Sequence, residues 1–229
     1  MLRGMTAPQH PRPETAQTLD RGLQVLLELG RPGGAGGLTV SELAVRLEVS
    51  RAVVYRLVTT LEHRAFVSRS EDGRYRLGLG VARLQYAVRP VLVDVARPVL
   101  QELADRTGAT AHLTVAEGDQ AVALLVTEPS WTDLHVAYRV GSRHPLERGA
   151  AGRAILEGRH GHPDRATTTT GELQLGAHGV AAAVPAVPGL EASVGVVTMG
   201  PPPPVEELVL AAARSLGSRL TGGPADSVG

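Results

Sequence analysis

Apolar residues recur at helical spacing through the first third of this chain and then begin to alternate. Leu19, Leu23, Leu26 and Leu27 stand three and four apart and Gly30 follows them, which predicts a first helix of about three turns with a glycine stop. Residues 31–37 hold four glycines and a proline and form a loop. Thr39-Val40-Ser41-Glu42 has the spacing of a capping box, in which hydroxyl and carboxylate each take a free amide. It opens a short helix buried through Leu43, Ala44 and Leu47. Glu48-Val49-Ser50 is a turn, and Ser50 is a good N-cap for a third helix from Arg51. Its stripe of Val54, Leu57, Val58 and Leu61 falls at i, i+3, i+4 and i+7. Beyond Leu61 the period changes to two. Phe66-Val67 and Tyr75-Arg76-Leu77 flank Ser70-Glu71-Asp72-Gly73, whose Asp-Gly pair suits a tight hairpin turn. Helix, helix, turn, helix and hairpin is the order of a winged helix-turn-helix.

The second half has a different rhythm. Residues 91–107 read as a helix, with Val99, Leu100 and Leu103 on one face. Ala111–Ala116, Ala121–Thr127 and Asp133–Val140 read as strands, with a turn at Glu117-Gly118-Asp119. Residues 159–176 are polar and of low complexity, and their threonine run is β-prone but unpatterned, so a loop is expected there. Strands resume over 180–184 and 190–198. A mixed antiparallel sheet with flanking helices is an α+β domain.

At 229 residues the chain holds one or two domains. No apolar run approaches the roughly 18 residues of a membrane span, and Met1-Leu2-Arg3-Gly4 leads into a Pro-rich polar stretch rather than a signal-peptide core. A cytoplasmic protein without membrane contact is expected. Cysteine is absent, which excludes disulfides, thiolate metal sites and cysteine nucleophiles. Lysine is absent too, which excludes P-loop phosphate binding and Schiff-base chemistry. Lys and Asn are both missing, and Phe66 and Ile155 stand alone. All four have A/T-rich codons, so a G/C-rich genome explains the bias and an all-Arg surface says nothing about nucleic acid. The distribution of charge says more. Residues 1–90 carry 13 Arg against 8 acids, and residues 91–229 carry 10 Arg against 15, so a basic half is joined to an acidic one.

No catalytic constellation is present. Glu191-Ala192-Ser193-Val194-Gly195 lacks the first glycine of a nucleophile elbow and lies in a strand pattern. His160-Gly161-His162-Pro163-Asp164 reads as a solvated loop rather than a metal site. The Gly33–Gly37 cluster is followed by no lysine. No enzyme, cofactor or metal is expected, and the default for His112, His135, His144 and His178 is a structural role.

The run LTVSELAVRLEVSRAVVYRLVTTLEHRAFVSRSEDGRYRLGLGVARL resembles the DNA-binding domain of the IclR family of bacterial transcriptional regulators, and the resemblance is close over residues 18–84. PVLVDVARPVLQELADRTGATAHLTVAEG and VGSRHPLERGAAGRAILEG resemble, less tightly, the opening helix, first strand and pocket rim of that family's GAF-like effector domain. VGVVTMGPPPP looks like its last strand and residues 205–220 like its closing helix. The long helical excursion usual after the rim is shortened here to residues 159–176. The implied layout is a disordered arm over 1–17, a winged helix-turn-helix over 18–78, a linker helix over 79–89, an effector-binding or oligomerisation domain over 90–221, and a disordered tail over 222–229.

On this layout the third helix enters the major groove of a palindromic operator. The Ser50 hydroxyl and the helix's first amides meet phosphate. Arg51 and Arg56 reach guanine or phosphate, Ala52, Val53 and Tyr55 touch thymine methyl groups, and Thr59 lies on the same face. Neither Asn nor Gln occurs between Ser50 and Arg64 to pair with adenine. Arg69, Arg74 and Arg76 line the wing. The effector candidates are His112, Thr114, Leu134, Val136, His144, Leu146, Ala151 and Ala182. The same alternation equally suits an ordinary core, and the two histidines are chosen because the resemblance puts them near the pocket. The resemblance further implies homodimers through the first and linker helices, with Leu84 and Val88 in the contact, and tetramers through the effector domains. The chain is thus expected to be a transcriptional regulator, a repressor by preference, under control of a molecule that the shortened cover requires to be small or partly exposed. The competing reading is a ligand-independent DNA-binding assembly protein whose second domain only oligomerises.

Overall fold

The computed structural model of the chain describes residues 16–34, 36–131 and 138–222. It divides into two units, Met1–Val88 and Arg89–Gly229. The expected arm and tail lie outside the described residues, except for Ala16, Gln17 and Gly222.

In the first unit, α1 (Gln17–Gly30), α2 (Val40–Arg46) and α3 (Arg51–His63) precede a hairpin of β1 (Val67–Arg69) and β2 (Tyr75–Leu77). The capping box forms: Thr39 N–H donates to Glu42 Oε2 at 2.7 Å, and Glu42 N–H to Thr39 Oγ1 at 3.2 Å. Val67 faces Leu77 and Arg69 faces Tyr75 across the hairpin, and a bridge from Leu38 to Tyr75 adds a third backbone segment. The turn is a three-residue loop. Gly73 N–H donates to the Ser70 carbonyl and Ser70 N–H to the Arg74 carbonyl, each at 2.9 Å, which puts Gly73 in the left-handed region at φ +78°.

The core of this unit gathers Val25, Leu29, Leu43, Val54, Val58, Val67 and Tyr75. Its selection from α1 differs from the expected stripe. Leu19, Leu23 and Leu27 are 64%, 51% and 68% exposed, while Val25 and Leu29 are buried. The helix carries apolar residues on two faces, and periodicity alone does not say which of them meets the core.

The linker expected over 79–89 and the helix expected over 91–107 are one helix, α4 (Gly80–Thr107). Pro90 and Pro98 lie inside it. Each removes one backbone donor, but both positions are exposed and proline's φ is helical, so the helix runs on through them.

The second unit continues from α4 with β3 (Thr110–Glu117), β4 (Gln120–Thr127), β5 (Arg143–Pro145), α5 (Gly149–Arg159), β6 (Ala166–Thr170), β7 (Ala177–Ala183), β8 (Ala192–Met199) and α6 (Glu206–Thr221). The strands form one sheet in the order β5-β4-β3-β8-β7-β6, with every pairing antiparallel. Two expectations are corrected. The threonine run is a strand, with Thr167–Thr170 paired to Ala181–His178. Thr169 is buried while Thr168 and Thr170 are exposed, so the alternation exists in environment but not in residue type. The strand expected over 133–140 falls largely outside the described residues, Tyr138–Val140 are not in a strand, and Arg143–Pro145 pairs with β4 instead. Among the described residues no helix is long and apolar enough to cross a membrane.

Strand parity divides this unit in two. Ala111, Leu113, Val180, Ala182, Val194 and Val196 face α4 and α6 in the main core. Their neighbours in sequence, His112, Ala181, Ser193 and Gly195, turn to the opposite face, where α5 lies. Small residues let α5 come close. A Cβ on Gly152 would sit 2.5 Å from the Leu146 carbonyl oxygen, and one on Gly158 would sit 2.8 Å from the Ala183 methyl. Gly152→Ala should therefore lower stability by about 1–3 kcal/mol through backbone displacement, although alanine is the better helix former by about 1 kcal/mol. Urea unfolding should show a lower midpoint at unchanged slope, and an unchanged or raised midpoint would contradict this packing.

Candidate DNA-reading face and ligand cavity

Ser50 caps α3, accepting the Val53 N–H through Oγ at 3.4 Å. Burial of Val54, Leu57 and Val58 turns the other side of the helix outward, so Arg51, Ala52, Tyr55, Arg56 and Thr59 are exposed and Val53 is half-buried. Among the described residues no carboxylate pairs with Arg51 or Arg56, which leaves both guanidinium groups available.

The wing arginines differ from one another. Arg76 is exposed and, among the described residues, has no ion pair. The Arg69 guanidinium lies 5.7 Å from the centre of the Tyr75 ring, a cation–π contact. Arg74 is engaged internally, donating to the Gly37 carbonyl at 2.9 Å and to Glu42 Oε2 at 3.1 Å, with Asp72 3.9 Å away. It lies on the wing as expected, half-exposed, and ties the wing to the cap of α2. The Thr39 amide, and after it Arg74, hold Glu42 below the usual carboxylate range. The Ser70 hydroxyl and the Arg74 amide do the same for Asp72.

In the second unit, the face of the sheet beneath α5 encloses a cavity of about 50 Å³. His112, His144 and Ala151 of the expected set line it. Thr114 stands behind His112, with its hydroxyl 3.2 Å from His112 Nδ1 and hydrogen-bonded to the Tyr138 hydroxyl. The Tyr138 ring meets the His112 ring edge-on, with centroids 5.2 Å apart. Burial raises the Tyr138 phenol above its ordinary value. It pushes the His112 imidazole down to about 4, with the charge of His144 a smaller cause.

Ala182 does not line the cavity. It follows Ala181 by one residue and points to the opposite face, into the core of α4 and α6. Leu146 packs in a satellite core with Ala121 and Ile155. Leu134 and Val136 lie outside the described residues. The lining residues missed by sequence reasoning include Tyr138, Thr169, Glu172, Leu173, Gly179 and Val197. Of these, Val197 fell within the strand expected over 190–198, and the register of β7 and β8 sets it opposite Gly179. Glu172 carried none. It caps the first amide of α5 from 23 positions away.

Ser193 is fully buried and its Oγ donates to the Ala151 carbonyl at 2.9 Å, a structural bond between β8 and α5. His160 and His162 are exposed at the turn after α5. A wider open cleft of about 380 Å³ at the far end of α5 is lined by Pro163, Pro185, Val187 and Pro188. Its charged groups are already spent on one another, with Arg159 holding Glu191 at 2.9 and 2.7 Å.

Two family models match the chain. The IclR helix-turn-helix domain covers residues 18–71, and the bacterial transcriptional regulator IclR C-terminal domain covers residues 84–184. Among curated proteins, the HTH-type transcriptional repressor AllR of Klebsiella pneumoniae is 29% identical over 158 residues, 67% of this chain and 57% of the relative. That of Escherichia coli K12 is 30% identical over 144 residues, 62% of this chain and 52% of the relative. The match thus spans little more than half the length of these relatives. Among solved structures, an IclR-family regulator from a Rhodococcus species shares the fold at TM-score 0.51 and 19% identity, covering 94% of this chain and 97% of its own. An IclR homolog from Microbacterium hydrocarbonoxydans, solved in complex with 4-hydroxybenzoate, shares it at TM-score 0.50 and 18% identity, covering 90% and 100%.

The burial of His112 sets a pH dependence. The unfolded chain takes up a proton at this residue between pH 6.5 and about 4, where the folded chain does not, so stability falls as pH drops through that window. At its full extent the loss is about 3 kcal/mol. Urea unfolding at pH 7 and pH 4.5 should show a smaller acid loss for His112→Gln than for the unsubstituted chain, since the carboxylates are common to both. Equal losses would show that His112 is protonated within the fold.

Proposed function

The chain belongs to the IclR family of bacterial transcriptional regulators, and from that premise we propose that it is a DNA-binding repressor, acting in the cytoplasm, whose operator affinity is set by a small molecule held beneath α5. The observation that carries the reading is the outward face of α3, where Arg51, Tyr55 and Arg56 stand exposed and, among the described residues, neither arginine has an ion pair. A capped helix beside a wing fits the major groove, its side chains meeting base edges and its first amides meeting phosphate. Arg76 serves the backbone beside it, while Arg74 acts through the wing it holds in place. The AllR relatives support repression as the sense of control. The likeness to a fold solved with 4-hydroxybenzoate supports an effector, and the cavity of about 50 Å³ limits that effector to a smaller molecule.

One recognition helix reads too few base pairs for useful specificity, so the operator is a palindrome bound by two copies. The exposed Leu19, Leu23 and Leu27 of α1 and Leu84 and Val88 of α4 supply the apolar surface for a homodimer, and the second unit extends it to a tetramer. A ligand shifts such an assembly only by its differential affinity for DNA-competent and DNA-incompetent arrangements.

Selection of bound DNA from a random pool tests the reading, with a palindrome as the expected product and no enrichment as the result against it. On the recovered site Arg56→Ala should cost roughly 1–3 kcal/mol and flatten preference at one base position. Arg76→Ala should weaken specific and random DNA alike and lower the salt slope by roughly one. Leu23→Arg should yield monomers by light scattering and lose the operator with α3 intact. A monomeric unsubstituted chain at micromolar concentration would overturn the dimer.

A further inference from the structure

The first turn of α5 is capped from outside the helix. Arg148 precedes it without a side-chain cap of its own. Glu172, from the turn between β6 and β7, accepts the Gly149 N–H through Oε2 at 2.8 Å and holds Arg153 through Oε1 at 2.9 Å. Arg148 donates to the Glu172 carbonyl. Leu173 lies over Gly149, where φ is +76° and a Cβ would meet Leu173 Cδ1 at 2.6 Å. The chain thus delivers a carboxylate of its own to the positive end of α5, at the rim of the cavity.

A second group in the same cavity asks for a ligand. His144 is 7% exposed, and its Nδ1 lies 3.1 Å from the Pro145 carbonyl. A carbonyl only accepts, so Nδ1 carries the proton, and in the imidazole form Nε2 is the acceptor. Nε2 is buried and, among the described residues, has no hydrogen-bond partner. It needs a donor, which a hydroxyl or an amide N–H provides and a carboxylate lacks. A carboxylate would also meet the charge of Glu172.

We propose that Glu172 determines the ligand specificity of this cavity: by occupying the start of α5 it shuts out anions and leaves room for a small uncharged molecule, an alcohol or primary amide, that donates a hydrogen bond to His144 Nε2. The proposal rests on the effector reading above and names its ligand class. The cavity of about 50 Å³ limits that molecule, or its buried end, to a few heavy atoms.

Acetamide and acetate have nearly the same shape and differ in charge and donor, which makes them the probes. On the full chain at neutral pH, acetamide should shift the His144 imidazole resonances saturably, and acetate at equal concentration should not. Glu172→Ala, which empties the start of α5, should raise acetate affinity at least tenfold with a smaller change for acetamide. Glu172→Gln keeps an acceptor for the Gly149 amide, guards against loss of fold, and should relax the discrimination in the same direction. The proposal is overturned if acetate binds the unsubstituted chain as well as acetamide does, if neither probe moves His144, or if both variants keep the original preference. Operator binding measured on the same preparations separates the two readings: its presence with any of those outcomes rejects the specificity proposal alone, and its absence rejects the regulator.

Discussion

The close approach of α5 to the sheet is the constraint on which the second unit depends. Alanines at 150, 151 and 154 and glycines at 152 and 158 keep most groups between helix and strands no larger than a methyl, and Gly179 does the same from the sheet, opposite Ala150. Gly195 serves the sheet itself, since a Cβ there would stand 2.8 Å from His112 Cε1. Methyl-sized surfaces contribute little hydrophobic area each, but they bring the backbone of α5 within reach of Ser193, which bonds the Ala151 carbonyl. Close packing closes the middle of this face, and two imidazoles and a phenol ring border the space around His112 and His144.

A comparable economy governs the first unit, where Glu42 serves two structures. It closes the capping box of α2 and receives Arg74 from the wing, so one carboxylate joins the cap to the hairpin. The pair is exposed and its Coulomb energy is modest, but three hydrogen-bond acceptors converge on Arg74 and fix where the hairpin stands. The wing and α2 are thereby held in one geometry, and on the proposed reading the cations left for DNA are Arg51, Arg56 and Arg76.

Polar chemistry in the two units follows opposite rules. On α3 the guanidinium groups stay in water, ready for a partner that brings its own charge. Beneath α5, burial drives the imidazole of His112 to its neutral form and the rim charge is balanced within the chain by Arg153 and Glu172. On the proposal above, such a cavity discriminates by donors and acceptors at His144 and, through Glu172, against anions.

Features that depend on neighbours a few residues apart were legible before folding. The capping box at Thr39 and Glu42, the Ser50 cap, the stripe of α3 and the Asp-Gly turn are local, and each carries its signature in residue type and spacing. The exposed face of α3 followed from its buried one. Tertiary structure decided everything that turns on which face meets which. Leu19, Leu23 and Leu27 are a regular stripe, yet the core takes Val25 and Leu29, because a helix with two apolar faces does not state its own orientation. The threonine strand was hidden because identical residues conceal alternation. Ala182 fell on the wrong face because a shift of one residue reverses a strand's side chains, and no local feature sets that parity when both faces are covered. Glu172 was beyond reach altogether: its role is set by a helix end 23 residues earlier, and only the folded sheet brings the two together.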